Sequence, residues 1–377
     1  MARFTCSMIN EMVILSDGRV TTCCHDALGR NSYSSISSDS FDQVAAKFLL
    51  TRQRLVEDFL SLPQCADCFH YFSQSGNPGM NFDPSDDEIE AFLGKEGEAR
   101  QYTLVIEPTV KCNLRCMGCP TNKMNLSDYR SAPFIDFERL KIWLTGTAAK
   151  VSKIRFYNYG ETFLHPHSID FLEFVHEHLG DVDIDIATNG LPLSTRAQRI
   201  RLVKSNVGTI HFSIHGSNQE NIEKYMSDRY SFQNIIKILR DIVEIKREMK
   251  SSKPWLIWKY ILFEWNDSDD AIMEAKSVAK TVGVDKVYFE LAAHPAPSKR
   301  FGDGNEEWRK FTAGMEITAY NGGRGAFWDS RSPDWHAIPT NPDVLNFSGT
   351  AHKENSFRSR IRQLFYFFQR RSRNDNT

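Results

Sequence analysis

Three cysteines share one short run, Cys112-Asn-Leu-Arg-Cys116-Met-Gly-Cys119-Pro120. Three thiolates spaced C-x3-C-x2-C suit three corners of a [4Fe–4S] cube and leave the fourth iron without a protein ligand. An open iron is a place where a small molecule binds. A structural zinc site instead wants four protein ligands, most often in C-x2-C pairs. Here the first gap is longer, and no fourth Cys or His lies close by in sequence.

The remaining cysteines, Cys6, Cys23, Cys24, Cys65 and Cys68, also lie in the first third of the chain, an asymmetry that argues for two metal centres. Met12-Val-Ile-Leu15, a turn at Ser16-Asp17-Gly18, and the β-prone Arg19-Val-Thr-Thr22 read as a short hairpin that delivers Cys23. Apolar residues at helical spacing then predict a helix over 42–61 that leads into Cys65-Ala-Asp-Cys68. Four thiolates (Cys6, Cys23, Cys65 and Cys68) would close a second centre fully. Spacing alone does not separate iron–sulfur from zinc there. Cys24 is spare, or exchanges with Cys23.

Positioning these groups requires a scaffold. Strand patterns occur at 102–107, 153–158, 182–187, 208–214, 255–263 and 286–291. Amphipathic helical segments alternate with them at 136–149, 168–179, 195–204, 218–225, 232–249 and 269–282. The alternation predicts an α/β fold, a parallel sheet forming a partial (βα)6 TIM-like barrel, joined to a small N-terminal cysteine-rich hairpin–helix module. The expected division is 1–72 for the cysteine module, 73–100 for an acidic linker, 101–300 for the core and 301–377 for a C-terminal extension.

Further motifs fall where strands end, which is where parallel sheets hold ligands. They are Tyr159-Gly160-Glu161-Thr162, Ala187-Thr188-Asn189-Gly190 and Phe212-Ser213-Ile214-His215-Gly216. With the cysteine loop, this ordered set resembles the radical S-adenosylmethionine (SAM) superfamily. The resemblance implies that Cys112, Cys116 and Cys119 hold a [4Fe–4S] cluster whose open iron is chelated by SAM. Gly160 and Glu161 would meet the SAM amino group, with Asn189 and Ser213 as further contacts. His215 stands where an Asp is usual and is a candidate proton carrier, with a structural role as the alternative. Gly118 stands where many members carry an aromatic residue. The N-terminal pattern, C-x11-G-x4-C followed by C-x2-C, resembles the first half of the SPASM motif, the twitch type, here placed before the core. It implies an auxiliary [4Fe–4S] cluster on Cys6, Cys23, Cys65 and Cys68.

The chemistry so implied is reductive cleavage of SAM to a 5′-deoxyadenosyl radical, which abstracts hydrogen from substrate. A flavodoxin or ferredoxin would supply the electron. A closed auxiliary cluster suits a two-electron oxidation of a small molecule such as a sugar or aminocyclitol; an epimerase could use Cys24 as hydrogen donor. Modification of a peptide or protein is the alternative within the enzyme class, and a non-catalytic iron–sulfur electron-transfer or sensor protein the alternative outside it.

Composition narrows the rest. The chain has 377 residues, 41% hydrophobic and 25% charged, with a net charge of −2, so no global pull towards nucleic acid or membrane follows. No apolar run is long enough to span a bilayer and no signal peptide is evident, so a cytoplasmic location is expected. Lys299 and Arg300 offer a possible phosphate clamp, with solvated surface as the alternative. Gly322-Gly-Arg-Gly325 reads as a flexible loop. The basic, aromatic tail 357–373 suggests a surface contact or a packed helix.

Overall fold

The computed structural model describes residues 3–73, 79–94, 101–292, 295–320 and 323–341. The tail expectation at 357–373 and parts of the linker lie outside them. The chain divides into two compact units, Met1–Ser213 with Glu244–Ile257, and Ile214–Val243 with Trp258–Thr377.

The strands of the first unit are β1 (Thr5–Cys6), β2 (Glu11–Ile14), β3 (Arg19–Thr21), β4 (Ser34–Ser35), β5 (Met80–Asn81), β6 (Tyr102–Ile106), β7 (Val151–Arg155), β8 (Asp183–Thr188) and β9 (Thr209–Ser213). The main sheet runs β4-β3-β2-β6-β7-β8-β9. Pairing is parallel from β2 through β6, β7 and β8 to β9, and antiparallel across β2, β3 and β4. β1 pairs separately with β5. The expected hairpin therefore extends the core sheet, because the short apolar run of β2 aligns beside β6 with Met12 opposite Leu104 and Ile14 opposite Ile106.

One face of this sheet is apolar. Met12, Ile14, Leu104, Ile106, Ile154, Ile184, Ile186, Ile210 and Phe212 are all buried. Helices Phe137–Leu144 and Ser168–His178 cover it, and their Phe137 and Phe171 lie 5.8 and 5.0 Å from the ring of Phe156. Sequence caps set where helices begin. Ser40 and Gln43 cap each other's backbone at helix Phe41–Asp58, and Thr195 and Gln198 do so at Arg196–Lys204. The expected helix from Ser85 is Asp86–Leu93, with the same device.

Side chains alternate across a strand, and the opposite face carries charge. Arg155 Nη1 meets Glu11 Oε1 at 2.6 Å, and Lys153 Nζ meets Asp185 Oδ2 at 2.6 Å and Asp183 Oδ2 at 2.9 Å. A parallel sheet buried on both faces would be apolar on both. This face sets that charge beside the buried Val13 and Val105.

Strand β10 (Trp255–Leu262) runs from the first unit into the second, and β11 (Lys286–Leu291), β12 (Glu316–Tyr320) and β13 (Gly323–Trp328) belong to the second. There β13 pairs antiparallel with both β11 and β12. Gly323–Gly325 is thus strand, not the flexible loop expected, because it pairs with β12, Gly323 opposite Tyr320 and Gly325 opposite Thr318, and Gly325 also stands opposite Glu290 of β11. Downstream residues also enter this unit's core: buried Lys276 holds Asp334 at 2.6 Å beneath the rings of Phe289, Phe311 and Trp328.

Among the described residues an α/β fold with a parallel sheet is present, and a closed barrel is not. The first unit's sheet is open, with β4 as an edge, and the second unit's strands end at β12. Among the described residues no helix is long and apolar enough to cross a membrane.

Candidate active site and cysteine clusters

The C-x3-C-x2-C loop leaves the C-terminal end of β6. Cys119 precedes the single turn Pro120–Lys123, and its backbone N–H donates to Cys116 O at 3.2 Å. Gly118 has φ +84°, a conformation that side chains resist, so an aromatic residue there would be strained. The three thiols lie close enough to feel one another. Burial first, then the Leu114 amide and the charges of Glu161 and Cys119, leave Cys112 pushed up to about 11. Burial, followed by Cys119 and Cys112, pushes Cys116 up to about 12.

The strand-end motifs fasten onto this loop. Gly160 takes φ +86°, and a Cβ there would stand 2.1 Å from Thr109 O and 2.8 Å from Lys111 O, so only glycine lets the two backbones touch. Glu161 N–H donates to Lys111 O at 2.8 Å. The Glu161 carboxylate accepts from Thr188 Oγ1 at 2.6 Å, Asn189 N at 2.7 Å and Phe163 N at 3.2 Å. Asn189 Nδ2 donates to Asn113 Oδ1 at 2.8 Å. The cysteine loop, the Gly-Glu turn and the Thr-Asn-Gly turn are thus one hydrogen-bonded assembly at the ends of β6, β7 and β8. Burial pushes the Glu161 carboxyl above its usual range, opposed by those three donors. Ser213 closes β9, one residue beyond the Thr188–Phe212 register.

His215 belongs to the second unit. Its Nδ1 accepts from Ile261 N at 3.3 Å, which leaves the ring proton on Nε2, and its carbonyl accepts from Asn266 Nδ2 at 3.0 Å. Burial, with Lys259 nearby, lowers the ring to about 3. At neutral pH this is an uncharged acceptor bracing β10, which favours the structural role over the proton carrier. Lys299 pairs with Glu264 at 2.7 Å and Arg300 with Asp269 at 2.6 Å, so the expected phosphate clamp is already neutralised.

The N-terminal cysteines also converge. Cys6 ends β1, Cys23 follows β3, and Cys65 and Cys68 lie one turn apart on helix Pro63–Phe72. Burial, followed by Cys6 and Cys68, pushes Cys65 up to about 12; burial pushes Cys6 to about 11, with Cys68 adding to it. Burial also raises Cys23, with Cys24, Cys65 and Cys6 contributing. Cys24 faces differently: after burial, the charges it feels most are those of Glu11 and Arg155. Tyr159, where the family motif has glycine, donates its hydroxyl to Cys24 O at 2.8 Å. Thr162, where it has proline, donates Oγ1 to Phe156 O at 3.0 Å.

Among the described residues no three His, Cys, Asp or Glu side chains form a site for a single metal ion. The donor chemistry fits clusters: three sulfurs from one loop, and four from the N-terminal segment. Protons held by these raised thiols would leave on loading. A cleft of about 460 Å³, lined by Asp39, Phe41, Arg139, Trp143 and Lys150, lies by the start of β6, where Tyr102 N donates to Lys150 O, away from the cysteine loop.

Sequence reasoning missed the pair that joins these parts. Glu107, just past β6, and Arg130 are both fully buried and meet at 2.7 and 3.2 Å. Glu107 also accepts from Ser16 N at 3.0 Å and Asn158 Nδ2 at 3.1 Å, and Arg130 Nη2 donates to Ala27 O at 2.9 Å. The available signal was a carboxylate at the end of an apolar strand, with no explanation in water.

Residues 106–252 match the family model described as the Radical SAM superfamily. Comparison with curated proteins gives no match. Among solved structures, Streptococcus suis SuiB bound to S-adenosylmethionine aligns at 15% identity and TM-score 0.39, over 75% of this chain and 62% of that one. Archaeal TYW1 aligns at 13% identity and TM-score 0.35, over 55% of this chain and 64% of that one. The chain thus spans less than two thirds of either structure.

Two outcomes follow from this geometry. Arg130→Met leaves the Glu107 charge buried without its partner, and a loss of about 3–5 kcal/mol is expected in thermal or urea unfolding. Glu107→Leu combined with Arg130→Met should lose less than the single change. For His215, the unfolded ring takes a proton below its ordinary 6.5 while the folded ring does not until about 3. Stability is therefore complete above pH 6.5 and declines as pH falls towards 3, by on the order of 2 kcal/mol at pH 5. His215→Asn should remove that share of the decline in urea midpoints compared at pH 7.5 and 5; an unchanged slope would contradict it. Residues 106–252 are thus the part of the chain that is similar to the Radical SAM superfamily.

Proposed function

We propose that this chain is a radical SAM enzyme with two [4Fe–4S] clusters. The observation that carries the reading is the hydrogen-bonded assembly in which Asn189 grips Asn113 inside the cysteine loop while Glu161 binds both Asn189 and Lys111 just ahead of Cys112. A loop needed only for folding has no reason to be fixed by two other strand ends. Cys112, Cys116 and Cys119 hold the catalytic cluster, and Gly160, Glu161, Asn189 and Ser213 position SAM. Bound together, cluster and SAM supply reductive cleavage to a 5′-deoxyadenosyl radical.

Residues 1–72 form the twitch-like module, with Cys6, Cys23, Cys65 and Cys68 holding the auxiliary cluster; 101–300 form the catalytic core, joined by 73–100 and followed by 301–377. The charged sheet face of Glu11, Lys153, Arg155 and Asp185 favours a polar small molecule, such as a sugar or aminocyclitol, over an apolar one. The reaction class is a two-electron oxidation, with the auxiliary cluster as electron acceptor and a flavodoxin or ferredoxin as donor. The position of Cys24, beside Glu11 and Arg155, favours epimerisation as the second reading, its thiol returning a hydrogen atom to the substrate radical.

The test is anaerobic reconstitution with iron and sulfide, followed by dithionite and SAM. About eight irons per chain and release of 5′-deoxyadenosine are expected. Cys112→Ala should abolish the release. About four irons with release intact would remove the auxiliary cluster and the oxidation built on it. An iron-loaded, reduced protein that never cleaves SAM with any polar substrate offered would leave an electron-transfer protein as the better account.

A further inference from the structure

Two side-chain amides reach the N-terminal cysteines. Asn31 Nδ2 stands 3.3 Å from Cys65 Sγ, and Gln64 Nε2 stands 3.5 Å from Cys68 Sγ. The orientation of Asn31 is forced. Its Oδ1 accepts from Gln64 N at 3.0 Å, and a backbone N–H can only donate, so the NH2 group must face the other way, towards sulfur and Thr22 Oγ1 at 3.2 Å. Asn31 is itself buried and pinned, its own N–H bound to Asp26 Oδ2 at 2.8 Å, while Asp26 Oδ1 takes Arg30 N at 2.9 Å. The loop after Cys23 is thereby shaped to aim one amide at a cysteine of a different element. Cys112, in contrast, is met by a backbone amide, Leu114 N at 3.4 Å.

We propose that Asn31 and Gln64 are positioning residues for the auxiliary cluster, whose N–H···S hydrogen bonds raise the potential at which it accepts an electron. The inference rests on the reading that Cys6, Cys23, Cys65 and Cys68 hold a [4Fe–4S] cluster. One-electron reduction places added negative charge largely on the sulfurs, and a donor aimed at sulfur stabilises that reduced state more than the oxidised one. Two such donors suit a centre that takes an electron from a substrate radical. Asn31 also clamps the Cys23 loop to the start of the helix bearing Cys65 and Cys68, since its Oδ1 holds Gln64 N and its Nδ2 faces Cys65 Sγ.

The test uses the full chain with Cys112→Ala, Cys116→Ala and Cys119→Ala together, so that only the N-terminal cluster can load. Iron is counted, and the midpoint potential is read by electron paramagnetic resonance during titration with dithionite. In this background Gln64→Met and Asn31→Leu should each retain about four irons and each shift the midpoint to lower potential, with the pair lower still. Full iron with an unmoved midpoint in Gln64→Met would overturn the proposal and leave the auxiliary cluster standing. Should Asn31→Leu lose its iron, Gln64→Met decides alone, because its side chain is only partly buried. No iron in the triple cysteine background, while the intact chain loads about four, would overturn the auxiliary cluster itself and the proposal with it.

Discussion

The buried pair of Glu107 and Arg130 is the contact on which the site depends. Glu107 directly follows the strand that feeds the C-x3-C-x2-C loop, and Arg130 lies where the chain returns from that loop. Their remaining hydrogen-bonding capacity goes to Ser16, Ala27 and Asn158, that is, to the N-terminal hairpin, the segment after Cys23 and the turn before Gly160. One ion pair therefore ties both cysteine segments to the strand ends. A buried pair is a poor source of net stability, because desolvating two charges offsets their attraction. Its contribution here is geometric: each group must satisfy several partners at once, and only one arrangement of the loops does so.

That constraint explains why the N-terminal cysteines, although they precede the core in sequence, sit against it. Strand β2 lies parallel to β6, so the hairpin's turn and the start of the cysteine loop lie at the same ends of neighbouring strands, and β3 then runs back beside β2 to Cys23. Tyr159 adds a second tie, from the Gly-Glu turn to the Cys24 carbonyl. Thr162 adds a tie of its own, its Oγ1 donating to Phe156 O at 3.0 Å.

Much of the architecture was legible. The six core strands and the intervening helices follow from apolar periodicity and from caps such as Thr195 and Ser268, which act locally. The cysteine loop, Gly160, Glu161 and Asn189 were legible as motifs, and in the fold they are hydrogen-bonded neighbours. Other features depend on pairing between distant segments, which periodicity does not encode. The parallel alignment of β2 with β6, the open edges in place of a barrel, and the strand at Gly323–Gly325 belong to this group. His215 looked reactive because of its position in a motif; its burial and its acceptor bond to Ile261 emerge only in three dimensions. Asn31, a polar residue in an ordinary loop, gave no sign that it faces a cysteine on another element.

The central claim is that SAM binds directly to a cluster held by Cys112, Cys116 and Cys119. Electron–nuclear double resonance on the reduced, iron-loaded chain, mixed with SAM isotopically labelled in its amino or carboxylate group, tests it most directly. The account predicts hyperfine coupling between the label and the cluster when Cys6, Cys23, Cys65 and Cys68 are all replaced by Ala, provided the remaining loop still loads iron. A loaded, reduced loop cluster that shows no coupling to labelled SAM would contradict it.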